Sequence, residues 1–284
     1  MNTGSARDEA GAEPRRSGDL IFDFGMYFCE DTDFYLRKGF RVVAIEANPV
    51  ACRDAERRNA QAIASGQLTV VNRAISRVNE PLRFYLNTTE PARSTASERL
   101  REFWSARGES FDEIEVMGVV PSELIARYGV PYYAKIDIEG FDLLCVRAFA
   151  EFIEKPRYMS VEIDFSTSRE LMDQLEKMGY CRFSLVGQST VPSQIPPLNA
   201  REGQYADYRF NDKCTGLFGR ELPLEWFDRR TADKRIRAVI RQYRLAGMLE
   251  RFAKIGIPIA LIDAARQRLP LAGDWYDLHA ELIS

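Results

Sequence analysis

Residues 21–49 read IFDFGMYFCEDTDFYLRKGFRVVAIEANP. An apolar run ends at Asp23, Gly25 turns the chain, and Asp31 and Thr32 are placed to cap a helix that stops near Gly39. A Val/Ile run at 41–45 then ends at Glu46, and Asn48-Pro49 opens the next helix. Strand, turn, helix, strand and terminal acid make half of a nucleotide-type cofactor site, because open α/β sheets bind ligands at the carboxyl ends of their strands.

The turn chemistry narrows the cofactor. A dinucleotide needs Gly-x-Gly-x-x-Gly, which lets backbone amides approach a pyrophosphate at a helix N-terminus. Here Met26, Tyr27, Phe28, Cys29, Glu30 and Asp31 follow Gly25, so the later glycines are absent. Two acids at that terminus repel phosphate. S-adenosylmethionine (SAM) has no phosphate and carries a cationic sulfonium and amino group, which acids tolerate. The plain alternative is that Glu30 and Asp31 only stabilise the helix N-terminus; for Glu30 alone that alternative is preferred.

The same alternation continues outward. Strands are predicted over 68–75, 132–138, 158–164 and 180–186, with helices over 49–64, 121–128, from 142 and over 168–178. Residues 82–86 and 113–119 are read as extended. Alternating strands and helices predict an α/β, Rossmann-like doubly wound sheet. The polar segment 1–18 is expected to be a disordered tail, 19–228 the cofactor-binding domain and 229–284 a helical C-terminal extension, with two helices over 229–268. Residues 88–112 and 187–216 are expected to cover the pocket.

Composition sets the bounds. The 284 residues are 45% hydrophobic, enough for one large core. The formal net charge of −3 shows no bias toward nucleic acid or membrane, and no apolar run approaches a membrane span of about 18 residues. Cys29, Cys52, Cys145, Cys181 and Cys214 form no CxxC pair, which reads as reduced thiols in a cytoplasmic protein.

Three further groups carry chemistry. In Lys135-Ile136-Asp137-Ile138-Glu139-Gly140, period-2 geometry puts Lys135, Asp137 and Glu139 on one side of a strand that should be apolar on both faces. Charges crowded there line a cleft or pair with each other. Glu162 and Asp164 repeat the pattern on the next strand, as candidates for a general base or for holding substrate; a metal site is not expected. Residues 229–254 hold nine Lys/Arg against two acids, net +7, with Lys234, Arg237, Arg241, Arg244 and Arg251 in a helical stripe. A solvated face is the preferred reading; an anionic partner is the other. His279, the only histidine, is a weak candidate base.

Taken together, Asp23-Phe24-Gly25, Glu30-Asp31-Thr32, Val42 through Pro49 and Lys135 through Gly140 resemble the FkbM family of SAM-dependent methyltransferases, over roughly residues 19–190. Asn72 through Ser76 and Ser160-Val161-Glu162 look like that family's third-strand and fifth-strand segments. The resemblance implies a seven-stranded, mostly parallel sheet with an antiparallel last strand. It implies that Asp23, Gly25, Met26, Asp31 and Thr32 shape the methionine side of the cofactor turn. Glu46, with Ala47 and Asn48, would hold the ribose, Ala74 and Ile75 would border the adenine, and Asp137 would lie near the donor amino group. The family usually has Gly-x-x-x-Gly in the turn; this chain has Cys29 at the second glycine and Tyr27 between, so a side chain at 29 is expected to crowd the methionine end.

The resulting expectation is O-methylation of a small-molecule or sugar hydroxyl, with SAM as cofactor. Asp137 or Glu139 would serve as base, Lys135 would support a carboxylate, and Glu162 and Asp164 would orient the acceptor. The alternative is an inactive binding module docking an anionic partner through the basic helix. Nucleic acid is disfavoured as a substrate, and the C-terminal helix could pair protomers.

Overall fold

The computed structural model describes residues 16–254 and 274–283. The chain runs through β1 (Arg16–Phe24), α1 (Glu30–Arg37), β2 (Arg41–Glu46), α2 (Pro49–Arg58), α3 (Ala60–Ala64) and β3 (Leu68–Asn72). An excursion follows, made of β4 (Ala74–Ile75), β5 (Pro81–Asn87), α4 (Glu98–Ser105) and β6 (Phe111–Val119). The second half holds α5 (Pro121–Tyr128), β7 (Val130–Ile136), α6 (Asp142–Ala150), β8 (Tyr158–Glu162), α7 (Ser168–Lys177), β9 (Tyr180–Gly187), α8 (Arg229–Lys254) and β10 (Tyr276–Leu282).

The main sheet has seven strands in the order β3-β2-β1-β7-β8-β10-β9. Only β10 runs antiparallel, against both β8 and β9. The order reverses between β1 and β7, so the ligand crevice falls at their carboxyl ends. Strand alternation sends Leu20, Phe22 and Phe24 of β1 to one face, against α5, α6, α7 and α8. Ile21 faces the other way, toward α1, α2 and the 206–222 loop. That loop takes the place of a helix over the second face: the Phe218 ring stacks on Tyr133 at 4.4 Å, and Glu221 forms a fully buried ion pair with Lys38 at 2.8 Å.

Several sequence-based boundaries are corrected. The expected tail reaches into β1, which begins at Arg16; residues 1–15 lie outside the described residues. The 229–284 extension is not wholly helical. After α8 the chain returns as β10, inserted between β8 and the edge strand β9, where Tyr276, Leu278 and Ala280 are buried. The second predicted C-terminal helix falls on 255–268, outside the described residues. The 68–75 strand is split at Arg73, and β4 turns away to pair with β6. Asp31 and Thr32 do not cap α1; Cys29 is its N-cap, and both side chains bond elsewhere.

The basic helix is partly neutralised. Arg229 binds Asp173, Glu176 and Asp233, and Arg235 sits 3.8 Å over the Phe227 ring. Arg230, Lys234, Arg237, Arg241 and Arg244 are exposed, as a solvated face requires, while Ile236 and Val239 are buried; the side chain of Arg251 lies outside the description. No helix among the described residues is long and apolar enough to cross a membrane.

Candidate functional site

The turn after β1 is fixed by its neighbours. The Gly25 and Met26 amides both donate to the Ile45 carbonyl, at 2.9 and 3.1 Å, which folds the turn over the end of β2. The Asp137 amide donates to Phe24 O at 3.0 Å. Gly25 has φ +86°, and a Cβ there would stand 1.8 Å from the Asp137 carbonyl oxygen, so no other residue fits. Tyr27 (φ 53°) and Cys29 (φ 72°) are also left-handed, a backbone region that favours glycine.

The left-handed backbone sends the Cys29 side chain into the core, where it is fully buried near Phe34 and Tyr35. The expected crowding by residue 29 therefore does not occur. Tyr27 does border the cavity, and its amide donates to Glu46 Oε2 at 2.9 Å. The Asn48 amide donates to Glu46 Oε1 at 2.7 Å, so two backbone donors aim this carboxylate. Burial, partly offset by these two amides, pushes the Glu46 carboxyl up to about 7.

One cavity of about 470 Å³ joins the carboxyl ends of β1, β2, β7 and β8, a size suited to a cofactor. Gly25, Met26, Glu30, Asp31, Glu46, Ala47, Asn48, Ala74 and Ile75 line one part of it, and Lys135, Asp137, Glu139 and Glu162 another. Phe84, from the excursion, adds to the apolar wall beside Ala47 and Ala74.

Asp23 and Thr32 are corrections, since neither lines the cavity. Asp23 is fully buried in register with Lys135, and Thr32 Oγ1 donates to its Oδ2 at 2.6 Å. Their work is to hold Lys135, whose ammonium donates to Gly25 O at 2.6 Å and faces Asp23 Oδ1 at 3.4 Å and Asp137 Oδ2 at 3.7 Å. Burial opposes the ammonium, but Asp23, Asp137 and Asp31 outweigh it and raise Lys135 well above the usual lysine range. Asp164 is also a correction. It pairs with Arg99 at 3.0 Å and accepts from Ser166, outside the cavity, because the strand ends at Glu162 and alternation stops there. Likewise β7 ends at Ile136, and Glu139 reaches the cavity from a left-handed turn (φ 53°) rather than by alternation. Asp142 clamps that turn by accepting from the Ile138 and Gly140 amides.

His279 lies in β10 between Ser160 and Ser184, 1% exposed and away from the cavity. Burial pulls its pKa down to about 3, so it is neutral and is no candidate base.

The covering segments contribute as expected, with residues that carry no motif. Thr95 is fully buried and donates to the Glu139 carbonyl at 2.7 Å. Arg93 lies over the Trp104 ring at 4.1 Å and the Trp275 ring at 5.1 Å and pairs with Glu109. Lys213 and Glu90 pair at 2.9 Å, joining the two covering segments beside the cavity. The Thr215 amide donates to Asp31, and Gln188, Trp275 and Asp277 complete the wall. Asp277 and Trp275 were missed because they belong to β10 and its approach. Their one sequence signal is the alternation of Tyr276, Leu278, Ala280 and Leu282.

The residues fit SAM. Glu46 offers two aimed oxygens to a pair of hydroxyls, an apolar wall flanks it, and Glu30 Oε2 is buried without a hydrogen-bond partner among the described residues, as a cationic ligand would require. Among the described residues no group of three or more His, Cys, Asp or Glu is arranged to hold a metal.

Residues 9–181, more than half of the chain, match the family described as the methyltransferase FkbM domain. Similar solved structures include precorrin-6y C5,15-methyltransferase from Geobacter metallireducens GS-15, at 13% identity and TM-score 0.35, over 61% of this chain and 69% of that one. Another is the precorrin 8w decarboxylase of Methanobacterium thermoautotrophicum, at 16% identity and TM-score 0.36, over 61% and 70%. Likenesses that distant carry no functional weight. No curated protein matches the chain.

Proposed function

The chain belongs to the methyltransferase FkbM family, and from that premise we propose that it moves a methyl group from SAM to a hydroxyl of a small molecule or sugar. One observation carries the reading: a single cavity joins the aimed Glu46 carboxylate to the acid-lined ends of β7 and β8. In this reading Glu46 accepts from the two ribose hydroxyls, and Ala47, Ala74, Ile75 and Phe84 pack the adenine. Glu30 and Asp137 face the donor amino group.

When bound, SAM supplies a methyl already activated by its sulfonium. What remains for the chain is alignment of the acceptor oxygen, which can contribute about 7–11 kcal/mol. Glu139 takes the hydroxyl proton as the oxygen–carbon bond forms and the carbon–sulfur bond breaks. Burial, with Asp137 and Asp142 nearby, raises Glu139 well above the usual carboxylate range, so its ionised form is a stronger base than an ordinary carboxylate. Such a base adds roughly 10²–10⁴-fold to the rate. Lys135 fixes Gly25 and Asp137 relative to each other.

The test is incubation with SAM and a panel of polyols, amino alcohols and phenols, read by mass spectrometry with fragmentation. A methyl on oxygen, lost in Glu139→Gln, is expected. A methyl found only on nitrogen or carbon contradicts the reading.

A further inference from the structure

Resting on that cofactor reading, we propose that the acceptor carries an ammonium group beside its hydroxyl, and that Glu162 and Asp277 bind it. These two acids sit directly opposite each other across β8 and β10. Opposed residues on antiparallel strands share a face, with Cβ atoms roughly 5 Å apart. Both line the cavity, and Asp277 is only 4% exposed. Asp137 follows β7 one residue beyond the Ile136–Val161 pair, which puts a third acid beside Glu162 on the neighbouring strand.

Like charges opposed across a sheet are unfavourable unless a cation joins them or a carboxyl takes a proton, and burial with the neighbouring acids already raises Glu162 and Asp277 well above the usual carboxylate range. The cations lining the cavity are already committed. Lys135 is held by Gly25 O, Asp23 and Asp137; Arg93 by Glu109 and two tryptophan rings; Lys213 by Glu90; and Arg73 by the Asn72 carbonyl. Gln188 Nε2 donates to Asp277 Oδ2 and orients it, but neutralises nothing. No side chain among the described residues hydrogen-bonds to Glu162. Lys135 already answers Asp137, so the sulfonium adds one positive charge against Glu139, Glu162 and Asp277, which when ionised leave a surplus of negative charge at the acceptor end. A neutral polyol would satisfy the hydrogen bonds but not the charge. An ammonium satisfies both, and held between two carboxylates it stays protonated and cannot compete as the nucleophile.

The protein is first saturated with adenosylhomocysteine, which has no sulfonium, and then titrated at pH 8 with 2-aminoethanol or its neutral counterpart ethane-1,2-diol, read by thermal shift. A saturable rise in Tm is expected with 2-aminoethanol, at least tenfold tighter than with the diol. Glu162→Gln and Asp277→Asn should each weaken it at least tenfold while keeping adenosylhomocysteine affinity, which also reports that they fold. Equal responses to the two probes, or a 2-aminoethanol response unchanged in both variants, overturns the proposal. So does stabilisation by Mg²⁺ in place of the amine, lost in the same variants. Failure of wild-type protein to bind adenosylhomocysteine instead removes the cofactor reading beneath it.

Discussion

Gly25 stands where the ends of β1, β2 and β7 meet, with no room for a Cβ against the Asp137 carbonyl. Gly25→Ala should cost at least about 2 kcal/mol of stability, from left-handed strain plus the backbone clash. Denaturant titration measures the loss, and adenosylhomocysteine binding should vanish with it; a variant retaining both contradicts the packing described. Lys135 is the counter-charge of the fully buried Asp23. Lys135→Met should cost about 3–5 kcal/mol, and adding Asp23→Asn should recover much of it, because the stranded charge is then gone. Non-recovery in that double-mutant cycle would show that the pair does not act as a unit. That Gly25, Glu46 and Asp137 meet at one cavity was legible because each stands at the end of a recognisable strand. The direction of Cys29 was not, since it depends on a φ of 72° that residue identity does not disclose.

Among elements, β10 was hidden inside an extension expected to be helical. Its apolar residues alternate with Asp277, His279 and Glu281, a pattern usually read as half-solvated, yet both faces are buried here. Glu281 is buried because Arg157, Arg182 and Tyr158 converge on it. His279 and Ser160 continue the polar row that Asp23 and Lys135 begin across the sheet. The partners of β10 lie about a hundred residues back along the chain, so local pattern could not reveal the pairing. A chain ending at residue 273 would leave β8 and β9 without their shared neighbour. It should lose cooperative unfolding, as followed by circular dichroism during thermal melting. A sharp, wild-type-like transition would show that β10 is dispensable. Most strands from β1 to β8 were legible because their Val/Ile runs and Gly stops are local signals; the split at Arg73 and the strand ends at Ile136 and Glu162 were not, since they depend on where pairing stops.

At the scale of the whole molecule, buried acids set the response to pH. Burial pushes Glu46 and Asp31 up to about 7 and Asp142 to about 6, from ordinary values of 4.5, 3.8 and 3.8. Between those values the folded chain holds more protons than the unfolded one, so stability falls as pH rises. His279 acts in the opposite sense. Its pKa drops from 6.5 to about 3, so below pH 6.5 the unfolded chain takes up the proton and stability falls with pH. Three acids outweigh one histidine, so the Tm of the ligand-free protein should fall continuously from about pH 5 to pH 8. Scanning fluorimetry across that range checks this, and a Tm rising steadily from pH 6 to 8 contradicts it. Ribose hydroxyls donate best to ionised Glu46, so stabilisation by adenosylhomocysteine should grow from pH 6 to 8.

The central claim is that Glu46 and the turn at Gly25 hold a phosphate-free adenosine cofactor. Calorimetric titration tests it most directly, with adenosylhomocysteine and NAD run against wild-type protein and Glu46→Ala. Adenosylhomocysteine should bind and NAD should not, and Glu46→Ala should weaken binding by about 1–3 kcal/mol, the worth of hydrogen bonds to a charged group. Heat from NAD alone, or an affinity for adenosylhomocysteine unchanged by Glu46→Ala, would contradict the account.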